Sequence, residues 1–285
     1  MLLKIIIVIA CVILVYIIWQ WQELKKFART DYEIKSGKVQ REYKAAVLAD
    51  LHGFQYGKDN IRLLDAIRSG QPDLILIPGD MVVSRKSDTY ETALKILEEL
   101  CRIAPVYYSY GNHESRAHIR KSEYQEKFFA FENKVKELGI HVLHNETEAF
   151  GELVVTGLEI PLSCYKKGVD VPLPQDYLEK TLPKQTEDIF QVLLAHNPRY
   201  AKEYADWGAD LTFCGHNHGG LIRIPGVGSL ISPQFQWFPK YDAGAFDFEG
   251  KKVIVSRGLG THTFHIRIFN RAELVFMVIK PQDIA

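Results

Sequence analysis

The chain contains 285 residues, 47% of them hydrophobic, which is enough for one large or two small folded domains with a buried core. Lysine plus arginine and aspartate plus glutamate are balanced at 35 each, so the formal net charge is zero. A surface without an overall positive field does not attract polyanions, and we expect no nucleic-acid partner. The four cysteines form no CxxC pair, which argues against a zinc ribbon, a thioredoxin-type redox motif and a disulfide scaffold.

The amino-terminal segment is continuously apolar. Ile5–Trp19 is an unbroken run of fifteen apolar residues, and Leu2, Leu3 and Trp21 lengthen it. The total approaches the ~20 residues that a membrane-spanning helix needs. No small-x-small cleavage site follows the run, so a single-pass anchor over residues 1–21 is favoured over a cleaved signal peptide or a buried core helix.

Residues 21–30 are polar and are expected to continue helically away from the membrane, within a linker and first strand over residues 22–43. Short apolar runs then predict strands over residues 44–48, 73–77, 105–109, 152–157, 190–194, 211–214, 252–255 and 273–279. Helical spacing predicts helices over residues 60–68, 89–101 and 121–138. This α/β order predicts parallel pairing early in the chain and some antiparallel pairing later. Residues 160–187 predict a long surface excursion.

Polar side chains follow five of these strands directly. They are Asp50 and His52, then Asp80, then Asn112 and His113, then His196, and finally His216 and His218. Gly215 precedes the last pair and is expected to allow a sharp turn. Taken singly, each residue has an ordinary alternative as a turn residue, a helix cap or a hydrogen-bonded buried histidine. Because sites in open sheets form at the carboxyl ends of strands, their joint placement predicts a metal site.

The remaining histidines lack this placement. His118, His141 and His144 are predicted at the surface, whereas His262 and His265 are candidates for positions near the site.

In this order and spacing, the motifs Asp-Leu-His, Gly-Asp, Gly-Asn-His-Glu, a lone His and Gly-His-Asn-His resemble those of the calcineurin-like metallophosphoesterases. The resemblance runs from about residue 44 to the C-terminus, and residues 256–260 and 266–273 resemble the membrane-associated bacterial branch of that family. It implies a four-layer α-β-β-α sandwich of mixed sheets over residues 44–285. Ala49 and Ala272 depart from the common pattern, but neither is an expected ligand.

The resemblance also implies two divalent metal ions and no organic cofactor. One ion would be held by Asp50, His52, Asp80 and His218, and the other by Asp80, Asn112, His196 and His216. Two cations about 3.5–4 Å apart can activate a water and neutralise phosphoryl oxygens. Oxygen and imidazole donors suit Mn, Fe or Zn, and Mn is our first expectation.

His113 is the expected general acid because it adjoins the predicted ligand Asn112, and a structural hydrogen bond is the alternative role. We expect a membrane-anchored hydrolase of phosphodiester or pyrophosphate bonds, acting on a phosphorylated small molecule or a lipid- or nucleotide-linked substrate. The alternatives are a phosphomonoesterase or protein phosphatase, and a non-catalytic, metal-bound membrane interaction module.

Two further groups bear on the substrate. An aromatic group forms either hairpin core or the rim of a cleft: Phe235, Trp237, Phe238 and Tyr241. A basic group contacts either phosphates or solvent: Arg116, Arg120 and Lys121.

The membrane face of the catalytic domain stays open. Lys25, Lys26 and Arg29 follow the apolar run, against Lys4 and the amino terminus before it, which slightly favours a cytoplasmic domain. The family resemblance instead suggests an extracytoplasmic domain.

Overall fold

The computed structural model describes residues 1–184, 186–261 and 265–283. It begins with helix α1 (Leu2–Glu23), whose apolar side chains are mostly exposed. Among the described residues, this is the one helix long and apolar enough to cross a membrane, a test that a signal sequence would also pass. α1 is therefore a candidate membrane anchor.

Two six-stranded mixed sheets follow α1. The first contains, in spatial order, β1 (Phe27–Ser36), β14 (Ala272–Pro281), β2 (Tyr43–Val47), β3 (Leu74–Ile77), β4 (Val106–Ser109) and β5 (His141–Leu143). The second contains β12 (Gly244–Phe248), β13 (Lys251–Val255), β9 (Leu211–Cys214), β8 (Phe190–Ala195), β7 (Leu153–Leu158) and β6 (Thr147–Phe150). A separate antiparallel hairpin pairs β10 (Ile222–Ile224) with β11 (Gly228–Ile231).

Strands β2 to β5 are parallel, as are β7, β8, β9 and β13. Antiparallel pairing joins β14 to β2, β12 to β13 and β6 to β7, which confirms the predicted mixture. The central strands are apolar on both faces; all four residues of β3 are buried, as expected for strands covered on both sides. Their carboxyl ends consequently meet along one edge.

Helices cover the outer faces and complete four layers. They are α2 (Ile61–Gly70), α3 (Asp88–Cys101), α4 (Asn112–Ile119), α5 (Glu123–Glu137), α6 (Tyr177–Thr181) and α7 (Ala201–Trp207). One core cluster lies between the first sheet and α2, α3 and α5, a second lies between the two sheets, and a third lies between the second sheet and α7. The predicted α-β-β-α sandwich is thus confirmed.

The eight predicted strands are all present within two residues of their expected bounds, and the structure differs from expectation at three places. Residues 27–30 do not continue a helix; they begin β1, which pairs with β14 along its whole length. A separate helix, α4, precedes the predicted third one. The excursion at 160–187 contains α6 and contributes Cys164, Tyr165 and Leu178 to the third core cluster.

Candidate metal centre

The polar residues predicted at the strand ends converge at one place between the two sheets, and all of them are buried. They are Asp50, His52, Asp80, Asn112, His113, His196, His216 and His218. The first five come from the first sheet and the last three from the second. The site therefore forms only when both sheets are in place.

Asp50, His52 and His218 form one group whose donor atoms lie within 4.8 Å of one another. Nε2 of His52 is 3.2 Å from Nε2 of His218, and Nε2 of His218 is 3.6 Å from Oδ1 of Asp50. Two unprotonated imidazole nitrogens this close repel each other through their lone pairs. A cation bound by both nitrogens and by Asp50 would remove that repulsion.

Asp80, His196 and His216 form a second group with the same 4.8 Å spacing. Oδ2 of Asp80 lies 3.1 Å from Nε2 of His196 and 3.9 Å from Nε2 of His52. Asp80 thus stands between the two groups, as a carboxylate shared by two cations must.

Two buried atoms indicate that the residues present fit metal ions. Oδ1 of Asn112 has no hydrogen-bond partner, and Nε2 of His196 makes no hydrogen bond although it lies 3.1 Å from Oδ2 of Asp80. Buried polar atoms are nearly always satisfied, and an unsatisfied one needs an explanation. A divalent cation at the second group would satisfy both atoms.

Backbone carbonyls orient the imidazole rings. Nδ1 of His52, His196 and His218 lies 3.3, 2.9 and 3.1 Å from the carbonyl oxygens of Val82, Pro78 and Gly260, respectively. Each contact fixes the proton on Nδ1 and leaves Nε2 as the basic nitrogen that a metal requires.

His216 has the opposite arrangement. Its Nε2 lies 2.7 Å from Nε2 of Gln234, whose amide N–H can donate to it. Nδ1 is then the nitrogen of His216 expected to face an ion. Burial and the neighbouring His196 hold the pKa of His216 well below its usual range, so the ring is neutral.

The carboxylates and histidines also shape each other's charge. Burial raises the pKa of Asp50 to about 7. Burial likewise opposes ionisation of Asp80, but the neighbouring His196 and His113 hold the pKa of Asp80 well below its usual range. Burial opposes the charge of His196 too, yet Asp80 raises the pKa of His196 to about 9. Without ions, a proton on His196 thus balances the charge of Asp80.

Five of the predicted ligands adopt left-handed backbone conformations. The φ angles are 52° for Asp50, 51° for His52, 56° for Asp80, 69° for His216 and 49° for His218. Such conformations cost of order 1–3 kcal/mol each and cluster at functional sites. The fold bears this cost where the side chains must point to a common centre.

Gly215 leaves room for the carboxylate of Asp50. A Cβ on this glycine would lie 2.5 Å from Oδ2 of Asp50. The backbone N–H of His216 donates to both oxygens of the same carboxylate at 3.1 Å. The chain also turns here as predicted, since the backbone N–H of Asn217 donates to the carbonyl of Gly215 at 2.8 Å, although the left-handed residue of the turn is His216.

Glu114 supports the loop that carries Asp80. Its buried carboxylate accepts from the backbone N–H groups of Asp80 at 3.0 Å, Met81 at 2.8 Å and Gly111 at 3.0 Å, and from the hydroxyl of Tyr108 at 2.6 Å. Burial raises the pKa of Glu114 to about 8. The sequence signal for this residue was its place in the Gly-Asn-His-Glu motif.

His113 lies at the first turn of α4, beside both groups. Its backbone N–H donates to Oδ1 of Asp80 at 2.8 Å, and its ring is 5.0 Å from that of His52. The backbone N–H of Ser84 donates to Nδ1 of His113 at 3.0 Å. In the neutral ring the proton must therefore be on Nε2.

A cleft with a cavity of about 420 Å³ opens over the centre and is strongly cationic. Its basic lining residues are Arg85, Lys86, Arg116, Arg120 and Lys167. Arg116 and Arg120 thus face the cleft, whereas Lys121 is exposed outside it. Tyr165 and Gln234 also line the cleft, from the excursion at 160–187 and from the loop that follows β11.

The predicted aromatic group is not hairpin core; Tyr241 packs on Phe246 and Phe248 of β12, against the third core cluster. Phe235, Trp237 and Phe238 are 50%, 66% and 60% exposed, because their loop extends from the outer edge of the hairpin. They line a cavity that adjoins the cleft at His216 and Gln234.

His118, His141 and His144 are not part of the metal centre. His118 and His141 are half-buried, not at the surface as predicted, since His118 packs on Phe128 and Phe129 and His141 stacks on Tyr107. His144 is exposed and pairs with Glu159. His265 is exposed and contacts Thr261, a cleft residue. His262 lies outside the described residues.

Arg267 is a further residue that sequence reasoning did not single out. It is buried, and its guanidinium donates to the carbonyl oxygens of Gly258 at 3.1 Å and Gly260 at 2.8 Å. Gly260 is the residue whose carbonyl contacts His218. Nothing in the local sequence distinguishes Arg267 from a surface arginine, because the contact depends on the fold.

Comparison with known proteins identifies relatives over most of the chain. Residues 43–220 match the family model described as calcineurin-like phosphoesterase. Phosphodiesterase YaeI of Escherichia coli (strain K12) is 30% identical over 82% of this chain and 81% of its own length. The uncharacterized metallophosphoesterase YkuE of Bacillus subtilis (strain 168) is 24% identical over 89% of this chain and 86% of its own length. UDP-2,3-diacylglucosamine pyrophosphatase LpxG of Chlamydia muridarum (strain MoPn / Nigg) is 24% identical over 91% of this chain and 92% of its own length.

Proposed function

The chain belongs to the calcineurin-like phosphoesterase family and is a metal-dependent hydrolase of phosphoric ester or anhydride bonds, and we propose that it is membrane-anchored and cleaves phosphodiester or pyrophosphate bonds. The observation that carries this proposal is the buried Asp/His cluster with the unsatisfied Oδ1 of Asn112. It is the expected donor set for two divalent ions, with Asp80 between them.

In the proposed assignment, one ion is held by Asp50, His52, Asp80 and His218, and the other by Asp80, Asn112, His196 and His216. Two of the three groups of close donor atoms support this division, and the third group, His52, Asp80 and His113, places Asp80 beside His52, a proposed ligand of the first ion. Bound ions supply a water of lowered pKa and charge that stabilises phosphoryl oxygens. Mn is our first expectation for the metal, with Fe or Zn as alternatives.

The chain's own residues do the rest. Arg116, Arg120 and Lys167 bind the remaining phosphoryl oxygens at the cleft wall. His113 is proposed as the general acid: its Nε2–H hydrogen-bonds the leaving oxygen as the phosphorus–oxygen bond breaks, and full transfer of the proton starts from the imidazolium form, so that the ring is left neutral. Because the backbone N–H of Ser84 donates to Nδ1, the proton of the neutral ring is on Nε2, the nitrogen that this role requires.

The substrate is proposed to carry a lipid or a nucleotide. The exposed aromatic side chains beside the cleft suit an apolar group or a base, and α1 is suited to hold the cleft near a bilayer. The relatives named a phosphodiesterase and a UDP-diacylglucosamine pyrophosphatase act on bonds of the proposed kind. The tail resemblance to the membrane-associated branch points the same way.

A side-by-side assay tests the proposal. The Mn²⁺-loaded full chain is given bis-p-nitrophenyl phosphate, p-nitrophenyl phosphate, a phosphopeptide, a nucleotide sugar and a lipid-linked pyrophosphate at equal concentration. We expect the highest kcat/KM for a diester or pyrophosphate. Highest kcat/KM for the phosphopeptide or monoester would establish the alternative phosphatase, and no turnover would establish the interaction module.

A further inference from the structure

An exposed apolar surface lies beside the end of α1 and is not used by the metal centre. We call Ile224, Val227, Phe238 and Phe269 the interfacial patch. Their exposures are 39%, 69%, 60% and 66%. Large apolar side chains exposed together indicate a contact surface, whereas single ones are ordinary.

The four residues lie together although they are far apart in sequence. Together with Trp19 of α1, they line one cavity of about 1030 Å³. The hairpin joins the segment before Phe269 through a hydrogen bond from Arg223 N–H to the carbonyl of Ile268 at 3.0 Å. The hairpin tip thus stands next to the end of the apolar helix.

Folding does not explain two of these aromatics. Phe238 and Phe269 have φ angles of 45° and 49°, a conformation that is costly for bulky residues. Neither side chain fills a core, since both are more than half exposed. A contact outside the chain explains why large apolar residues stand there.

The end of α1 is fixed against this surface. Trp19 lies 6.5 Å from the ring of Phe269. Gln20 exchanges two hydrogen bonds with the backbone of Arg267, at 3.0 and 3.1 Å, and Glu23 pairs with Arg271 at 2.5 Å. Wherever the apolar part of α1 meets lipid, the interfacial patch is held at the same boundary.

We propose that the interfacial patch enters the headgroup and upper acyl region of the bilayer, as a second membrane contact beside α1. Lipid is the occupant that continuity with α1 favours, because both surfaces are apolar and adjoin at Trp19. Cations lie among the aromatics: Lys25 over the ring of Trp21, Lys240 over Tyr241 and Lys167 over Phe235. Aromatic and basic residues side by side suit an anionic membrane surface.

This contact would place the metal centre at the membrane surface. Phe238, Pro239 and Lys240 line both the cavity at α1 and the aromatic cavity, which in turn shares His216 and Gln234 with the metal cleft. A lipid-borne phosphate can therefore reach the cleft from the bilayer along a continuous surface. This inference rests on the proposed membrane-anchored function.

Spin labels in the full chain test the contact without using activity. Three proteins are reconstituted in phosphatidylcholine vesicles with and without phosphatidylglycerol: wild type labelled at exposed Cys11 in α1, Cys11→Ser/Val227→Cys, and Cys11→Ser/Phe129→Cys. Phe129 on α5 is 38% exposed and lines none of the cavities described above. The Cys11→Ser variant, treated with the same label, measures the background signal from the three other cysteines.

We expect the label at 227 to be several-fold less accessible to a water-soluble nickel chelate than the label at 129, and more accessible to oxygen. Equal nickel accessibility at the two positions would overturn the proposal. Protection at 227 from both reagents, or protection that persists in detergent, would show that protein covers the patch and would also overturn it. A label at Cys11 that is accessible to the nickel chelate would contradict both the proposed membrane anchor and the proposed lipid contact of the interfacial patch.

An activity comparison separates this inference from the proposed function. Val227→Asp/Phe269→Asn is measured against Phe129→Asn, and asparagine tolerates the left-handed conformation at 269. We expect unchanged turnover of a soluble diester and a several-fold loss on a vesicle-embedded substrate, for the double variant only. If the double variant and Phe129→Asn hydrolyse the embedded substrate at equal rates, the proposed lipid contact of the interfacial patch is overturned. If the enzyme hydrolyses no diester but the label at 227 is still protected by lipid, only the proposed function is overturned.

Discussion

At the scale of single residues, the sharpest assignment is the shared carboxylate. Asp80 lies between the two donor groups, 3.1 Å from His196 and 3.9 Å from His52. We expect about two metals per wild-type chain and loss of both ions in Asp80→Asn, because an amide cannot bridge two cations as a carboxylate does. Elemental analysis after gel filtration measures this. Retention of two ions would refute the bridging position.

The proposed proton-donor role of His113 makes a second prediction. We expect His113→Ala to keep its metals and to lose about 10²–10⁴-fold in kcat for leaving groups of high pKa, since these need a proton most. For a nitrophenyl leaving group the loss should be much smaller. An equal loss for alkyl and nitrophenyl diesters would assign His113 a structural role.

The space that Gly215 leaves for Asp50 makes a third prediction. Gly215→Ala places a Cβ against the carboxylate, whereas Gly37→Ala meets its nearest atom only at 3.7 Å. We expect Gly215→Ala to weaken metal binding by at least tenfold, because sites need positioning to within about 0.5 Å. Gly37→Ala should bind like wild type. Metal titration of both variants checks this, and equal affinities would contradict it.

These residues also show how far sequence carries at this scale. Strand ends are visible as apolar runs, so Asp50, Asp80 and His196 could be placed together before any coordinates existed. Gln234 and Arg267 could not, because each acts through one contact made by a loop whose path depends on the whole fold. The close approach of Gly215 to Asp50 was missed for the same reason: the two residues are 165 positions apart in the chain.

At the scale of secondary-structure elements, strand pairing decided the structure where the local sequence pattern was weak. β1 is polar on alternate residues and was expected to be partly helical, yet ten residues of β14 supply it with a complete ladder. Tertiary pairing of this kind overrides local propensity. α4 is missed because its apolar face is small; its first turn is occupied by Asn112, His113 and Glu114, which serve the site.

The junction of α1 with β1 makes a prediction about the anchor. A chain beginning at Leu24 keeps all of β1 but loses the contacts of Gln20 and Glu23 with Arg267 and Arg271. We expect it to fold, to keep two metals and to hydrolyse soluble diesters. Two lost hydrogen bonds and one ion pair are together worth about 1–3 kcal/mol, a fall in Tm of several degrees. A folded, metal-loaded but inactive truncated chain would show that α1 is more than an anchor.

At the scale of the whole molecule, the centre joins the two sheets. Asp50, Asp80 and Asn112 come from the first sheet, and His196 and His216 from the second. Ions bound between them would therefore hold the sandwich together at its open edge. At a thousandfold excess over Kd, such binding stabilises the folded state by about 4 kcal/mol, or about 10 °C in Tm.

That stabilisation should depend on pH in a defined direction. In the ion-free protein the pKa of Asp50 is about 7 and that of His196 rises from 6.5 to about 9. Raised values mean that the ion-free fold is favoured by the protonated groups, and that this contribution is lost as pH rises through them. Metal binding requires the deprotonated groups, so it gains as pH rises. Both effects widen the Tm difference between Mn²⁺-loaded and chelator-treated protein from about pH 6.5 to about pH 9. Scanning calorimetry of the two forms across this range measures the difference, with Asp80→Asn as a control that should show little metal effect at any pH. A difference that is constant or narrows towards pH 9 would mean that protons and metals do not compete for this cluster.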